Sequence, residues 1–121
     1  MTDDKRPGTY NKEKGSWGEE RAAAYLKEQG YAIRERNYRG KTGEIDIIAE
    51  KDETLHFIEV KTRTSEEMGE PLEAINRRKL DHILRTAELY LYENDLFDRF
   101  VCIDGIGING EELVHIEGIT F

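Results

Sequence analysis

Two carboxylates and an ammonium stand out by their surroundings: Asp46 inside Ile-Asp-Ile-Ile, Glu59 inside Phe-Ile-Glu-Val, and Lys61 two residues further on. A lone carboxylate among apolar neighbours is costly unless it is paired or holds a metal ion. The stretch that carries all three, GEIDIIAEKDETLHFIEVKTR, reads as two strands, Glu44–Glu50 and Thr54–Thr62, joined by a charged turn at Asp52-Glu53. Its Ile, Val and Phe suit a covered, pleated surface. With the turn centred between Asp52 and Glu53, Asp46 faces Glu59 and Glu44 faces Lys61. Residues opposed in this way share a face, with Cβ atoms roughly 4.5–5.5 Å apart. Two carboxylates at that distance repel, and a divalent cation between them removes the conflict. Lys61 projects from the face of Glu59 because the strand repeat is two. Glu44 then has Lys61 as its simplest partner.

The rest of the chain must position these groups. Ser16-Trp17-Gly18-Glu19 opens a helix to about Gln29, with Gly30 as its stop. Ser16 and Glu19 fit a capping box, yet Glu19 also shares a side with Ala23 and Leu26 and could point at the sheet. The residues alone leave cap and site level. Residues 1–14 (MTDDKRPGTYNKEK) are polar and read as a mobile arm ahead of a single domain, residues 15–121. Tyr31–Tyr38 alternates and carries charge, as an edge strand does. For Arg34 and Arg36 that solubilising role suffices, whereas Arg39, nearest the carboxylates, suits a phosphate contact on the lip of a site. Asn37 suits turn geometry.

After Arg63 a loop (TSEEMGE), long enough to form a movable flap, leads to Pro71 and a helix to about Asn94. Its apolar stripe is Leu72, Ile75, Leu80, Ile83, Leu84, Ala87 and Leu91. Arg77-Arg78-Lys79 is a basic cluster on this helix, and Glu73 with Arg77 makes an ordinary i,i+4 pair. Arg99–Ile108, a turn at Asn109-Gly110 and Glu112–Thr120 read as a closing hairpin. The order of elements adds up to an α/β fold. A three-strand antiparallel meander and a crossover helix precede a strand parallel to the third, with one helix on each face.

Four pieces in order, GSWGEERAAAYL, RNYRGKTGEIDIIA, FIEVKTR and the helix around Lys79, resemble the YraN-like family of small bacterial proteins. Asp46 with Glu59-Val60-Lys61 also resembles the D…(D/E)-x-K triplet of PD-(D/E)XK nucleases, in particular their Holliday-junction-resolvase branch. The resemblance implies a restriction-endonuclease-like core and metal-dependent hydrolysis of phosphodiester bonds in DNA, including structured or branched DNA in repair or recombination. It implies Mg2+ or Mn2+ held by Asp46, Glu59 and the carbonyl of Val60. Glu19 would complete the shell, and Lys61 would offset charge in the transition state. Arg39, Arg63 and Lys79 would contact nucleic acid. The chain departs from the family at Arg99-Phe100-Val101, where relatives tend to read Arg-Phe-Asp, and at its GITF end. Two other readings compete. One is a nuclease-fold module that binds nucleic acid or protein without cutting. The other is a structural ladder of Glu44, Asp46, Glu59 and Lys61, which buried ion pairs seldom justify energetically.

Composition sets the bounds. A chain of 121 residues makes one domain. The net charge of −8 argues against a tight nonspecific coat on nucleic acid, but it is unevenly spread. Residues 1–63 hold 13 basic and 13 acidic side chains, residues 64–121 hold 5 and 13, so the half with the triplet is neutral. No apolar run approaches a membrane span and none resembles a leader, so a soluble cytoplasmic protein is expected. A single cysteine, Cys102, reads as a buried thiol and speaks against a disulfide or a cysteine-based zinc site. His56, His82 and His115 show no ligand spacing. Resolvases act as dimers that cut two symmetric strands, so the resemblance raises a homodimer, although no apolar stripe marks an interface.

Overall fold

The computed structural model describes the backbone of residues 7–63 and 77–119, and side chains over 17–62 and 77–119. The elements are α1 (Pro7–Glu28), β1 (Ala32–Gly40), β2 (Gly43–Lys51), β3 (Thr54–Arg63), α2 (Arg77–Asn94), β4 (Phe100–Asn109) and β5 (Glu112–Ile116). The strands form one sheet in the order β1-β2-β3-β4-β5. β1–β2, β2–β3 and β4–β5 are antiparallel and β3–β4 is parallel, with α2 in the crossover. This is the meander, crossover and terminal hairpin expected from the sequence.

The central strands are apolar on both sides because both sides are covered. On one face Ile45, Ile48, Leu55 and Phe57 pack with Leu80, Ile83, Ala87 and Tyr90 of α2. On the other, Ile47, Ala49, Ile58, Ile106 and Ile108 pack with Ala22, Ala23 and Leu26 of α1. Leu84, expected in the α2 stripe, is instead 39% exposed. Leu72, Ile75, Pro71, the Glu73–Arg77 pair and the expected flap involve residues outside the described ones. Among the described residues no helix is long and apolar enough to cross a membrane.

The turn between β2 and β3 has the expected register, from Lys51↔Thr54 to Ile47↔Ile58. Asp52 and Glu53 both adopt left-handed backbone, φ 53° and 64°, the conformation a two-residue type I′ turn demands. The last hairpin differs by one position. Asn109 pairs with Glu112, so Gly110 and Glu111 form the loop, and Gly110, at φ 64°, takes the place where a side chain would be strained. β5 ends at Ile116 rather than Thr120, because Gly118 turns the chain with φ 71° and donates its N–H to Asp104.

Helix α1 starts at Pro7, well before Ser16. Pro at the first turn has its φ preset for a helix and loses no needed N–H, and Lys12-Glu13-Lys14 propagate it. The helix thus takes in residues 7–14, expected as a mobile arm, while residues 1–6 lie outside the described ones. Ser16 is interior to the helix, so the capping box is not formed and Glu19 has no capping duty. The helix ends as expected: Tyr31 N–H donates to Leu26 O at 2.9 Å and Gly30 N–H to Lys27 O at 3.1 Å, with Gly30 at φ 95°.

Gly18 sets how closely α1 lies on β3. A Cβ at this position would stand 2.2 Å from Thr62 Oγ1. Gly18→Ala should therefore destabilise the protein by about 1–3 kcal/mol despite alanine's better helix propensity, because α1 must lift from the sheet. A lower urea midpoint at unchanged m-value is the expected reading. A rise in midpoint would show that α1 does not seat against Thr62.

Candidate active site

β2 and β3 part company where the carboxylates stand. Their pairing stops at Ile47↔Ile58, one step short of Asp46 and Glu59. The cause lies in both β1 and β2. Arg36 reaches Glu20 on the α1 side whereas Tyr38 packs on the α2 side. Likewise Ile47 lies in the α1 core and Ile45 in the α2 core. Residues two apart on a regular strand share a face, so the alternation slips at Asn37 and Asp46 together. These two lie between the pairs Arg36↔Ile47 and Tyr38↔Ile45, and Asn37 has φ 56°. Asp46 is thereby turned toward the neighbouring strand, where its Oδ2 accepts the Val60 N–H at 2.8 Å.

Glu59, only 6% exposed, receives two ammoniums on one oxygen: Lys61 Nζ at 3.2 Å and Lys79 Nζ at 2.8 Å from Oε2. Glu19 extends from α1 to stand beside Asn37 and Asp46. Crowding of acids shows in their titration. Burial, then the charge of Glu59, pushes the Asp46 carboxyl up to about 7, against the Val60 hydrogen bond. Burial also raises Glu19, with Asn37 and Arg36 opposing. Burial and the neighbouring Lys79 hold the Lys61 ammonium below its ordinary value in spite of Glu59. A cleft of about 470 Å³ opens over the group, with Glu44, Asp46 and Glu59 on one wall and Arg78, Lys79 and His82 of α2 on the other.

The structure thus brings Asp46, Glu59, Lys61, Glu19 and Lys79 together. Val60 contributes its backbone at the centre, while its side chain packs in the α1 core. Glu44 does not face Lys61, since the β2–β3 ladder ends before reaching them. Its partner is Arg39, at 3.7 Å, on the rim with 78% exposure. Arg63 closes β3 opposite Asn109, and its side chain lies outside the described residues. Three neighbours were missed from sequence. Asn37 was read as turn geometry, but asparagine tolerates left-handed backbone, and one in mid-strand marks an irregularity. Arg78 and His82 lie four residues apart, on the side of α2 that bears Lys79, a helical spacing that could have flagged His82. His56 and His115 are scattered in sequence yet meet on the opposite face, around Asp104.

The donor set fits a hard divalent cation. Glu19, Asp46 and Glu59 offer carboxylate oxygens only, the ligands Mg2+ and Mn2+ prefer, and Asp46, raised chiefly by burial and then by the charge of Glu59, is a carboxyl whose ionised form a cation would favour.

A mixed sheet covered by a helix on each face, with acidic residues where two central strands separate, makes this a restriction-endonuclease-like core. The chain belongs to the uncharacterised protein family UPF0102, whose model matches residues 18–108, which bears out the YraN-like resemblance. It is 43% identical over 102 residues to a UPF0102 protein of Syntrophomonas wolfei, covering 84% of this chain and 89% of that one. A Sulfurihydrogenibium relative is 40% identical over 105 residues (87% and 91% of the two chains). One from Clostridium botulinum is 51% identical over 90 residues (74% and 73%).

Proposed function

We propose that the protein is a metal-dependent nuclease that hydrolyses phosphodiester bonds in DNA in the cytoplasm, with structured or branched DNA as its substrate class and a homodimer as its working form. The observation that carries this reading is the convergence of Asp46, Glu59 and Lys61 at the point where β2 and β3 separate, under a cleft with a basic wall. Asp46, Glu59 and the Val60 carbonyl would hold a Mg2+ or Mn2+ ion, with Glu19 closing the shell, and the ion would supply Lewis-acid chemistry at the phosphate. Lys61, anchored on Glu59, keeps an ammonium beside the reacting phosphate and offsets the negative charge that develops there. Lys79 and Arg78 line the cleft and hold flanking phosphates, with Arg39 on the rim extending the track, and Arg63 is the further phosphate contact that the family resemblance implies.

The test is a panel of labelled linear, junction, flap and single-stranded DNAs incubated with Mg2+, Mn2+, Ca2+ or EDTA. Cleavage is expected with Mg2+ or Mn2+ and not with EDTA. Binding without cleavage of any form would instead identify a nuclease-fold module that no longer cuts. Neither binding nor cleavage would remove DNA as the substrate.

A further inference from the structure

On the sheet face away from the cleft, three adjacent strands each send a metal-ligating side chain to one point. Asp104 of β4 is fully buried, and its Oδ2 receives His56 Nδ1 of β3 at 2.8 Å and His115 Nε2 of β5 at 2.9 Å. Cys102, two residues before Asp104 and paired with His56 across β3–β4, turns its thiol to the same carboxylate. The donor atoms of His56, Cys102 and Asp104 all lie within 4.8 Å of one another. His115 is braced from behind, its Nδ1 at 3.0 Å from Tyr25 Oη. The Tyr31 ring packs edge-on against His56 with centroids 5.0 Å apart. The Asp104 carboxylate already has the two imidazoles and the Gly118 N–H, so it does not need the thiol as a further partner.

We infer that His56, Cys102, Asp104 and His115 form a second metal site, selective for a borderline-soft cation such as Zn2+ and distinct from the carboxylate cluster in the cleft. Two imidazoles, a thiolate and one carboxylate are a tetrahedral zinc set, whereas Mg2+ takes oxygen ligands. Ligand atoms around such an ion stand roughly 3.3–3.6 Å apart; the donors of His56, Cys102 and Asp104 already lie within 4.8 Å of one another, and His115 Nε2 stands 2.9 Å from Asp104 Oδ2. Zn2+ with one thiolate and one carboxylate carries no net charge, as a site this enclosed requires. On binding, Cys102 releases its thiol proton. His56 moves its proton from Nδ1 to Nε2, and His115 moves its own from Nε2 to Nδ1, where it donates to Tyr25. One proton leaves for each ion bound. The braced histidine is the outer-shell support that metal sites display. The ion would fasten β3, β4 and β5 to one another, and this inference is independent of the nuclease reading.

The test uses the full chain carrying Asp46→Asn and Glu59→Gln, which silences the cleft carboxylates. Titration with Zn2+ should show about one ion per chain, with millimolar Mg2+ failing to compete. Tm should rise by roughly 5–10 °C at Zn2+ well above its Kd. Co2+ in its place should give the near-ultraviolet thiolate band and the intense visible bands of a tetrahedral site. Cys102→Ser should abolish the thiolate band and weaken Zn2+ binding by about 10²-fold, and His115→Gln should weaken it by at least about tenfold. Absence of the Co2+–thiolate band in the chain with Cys102 intact, a measurement that needs no change at the site, would overturn the inference. So would Zn2+ uptake that Cys102→Ser leaves unchanged.

Discussion

Lys61→Ala should leave Mn2+ affinity within about tenfold while slowing DNA cleavage by about 10²-fold or more. Lys61 cannot coordinate a cation, and Glu59 keeps the Lys79 ammonium at 2.8 Å when Lys61 is removed, so the buried carboxylate is not left unpaired. The variant therefore folds, and its loss is one of rate. Glu59→Gln behaves differently, losing metal affinity and rate together, because the amide is a poor ligand for a hard cation. Isothermal titration with Mn2+ beside single-turnover cleavage separates the two effects. A Lys61→Ala protein that cuts every DNA form as fast as the parent would remove Lys61 from the mechanism.

The second large effect is on stability. Asp46 titrates at about 7 in the folded protein against an ordinary 3.8, chiefly from burial and then from the charge of Glu59. The folded chain therefore holds a proton that the unfolded chain has released between roughly pH 4 and 7. The sign follows: in metal-free buffer, stability falls as pH rises through that window and stays low above it. Asp46→Asn removes the ionisation while its amide oxygen can still accept the Val60 N–H. It should match the parent near pH 4 and exceed it by roughly 1–3 kcal/mol at pH 8 in EDTA, with Mn2+ binding lost. Urea unfolding at both pH values checks this. An Asn variant that is sharply less stable at pH 8 would favour a structural ion ladder over a metal site.

Much of this site was legible because β2 and β3 are joined by a two-residue turn. Once Asp52-Glu53 is recognised, counting outward brings Asp46 beside Glu59, and strand alternation puts Lys61 next to Glu59. The ending of that count was not legible. Whether a ladder continues to Glu44 and Lys61 depends on the backbone turning over at Asn37 and Asp46, and on an N–H of β3 choosing a side chain over a carbonyl. Neither leaves a trace in hydrophobic pattern. Local capping signals also misplaced the start of α1, since Ser16 and Glu19 satisfy a capping rule that Pro7, further upstream, makes unnecessary. The cluster of His56, Cys102, Asp104 and His115 escaped for a different reason. Its members are separated by the whole crossover, and only the parallel register of β3 on β4 and the hairpin register of β5 bring them together.

The hydrogen bond from Val60 N–H to Asp46 makes one backbone amide a built-in reporter of the site. Its proton sits between a strand and a carboxylate whose charge changes near neutral pH and on cation binding. Its nuclear magnetic resonance shift should follow the ionisation of Asp46, while neighbouring amides locked in the β3–β4 ladder stay still. Its deuterium exchange should slow when a cation fixes the carboxylate. The state of the centre can thus be read residue by residue, through one amide and its neighbours.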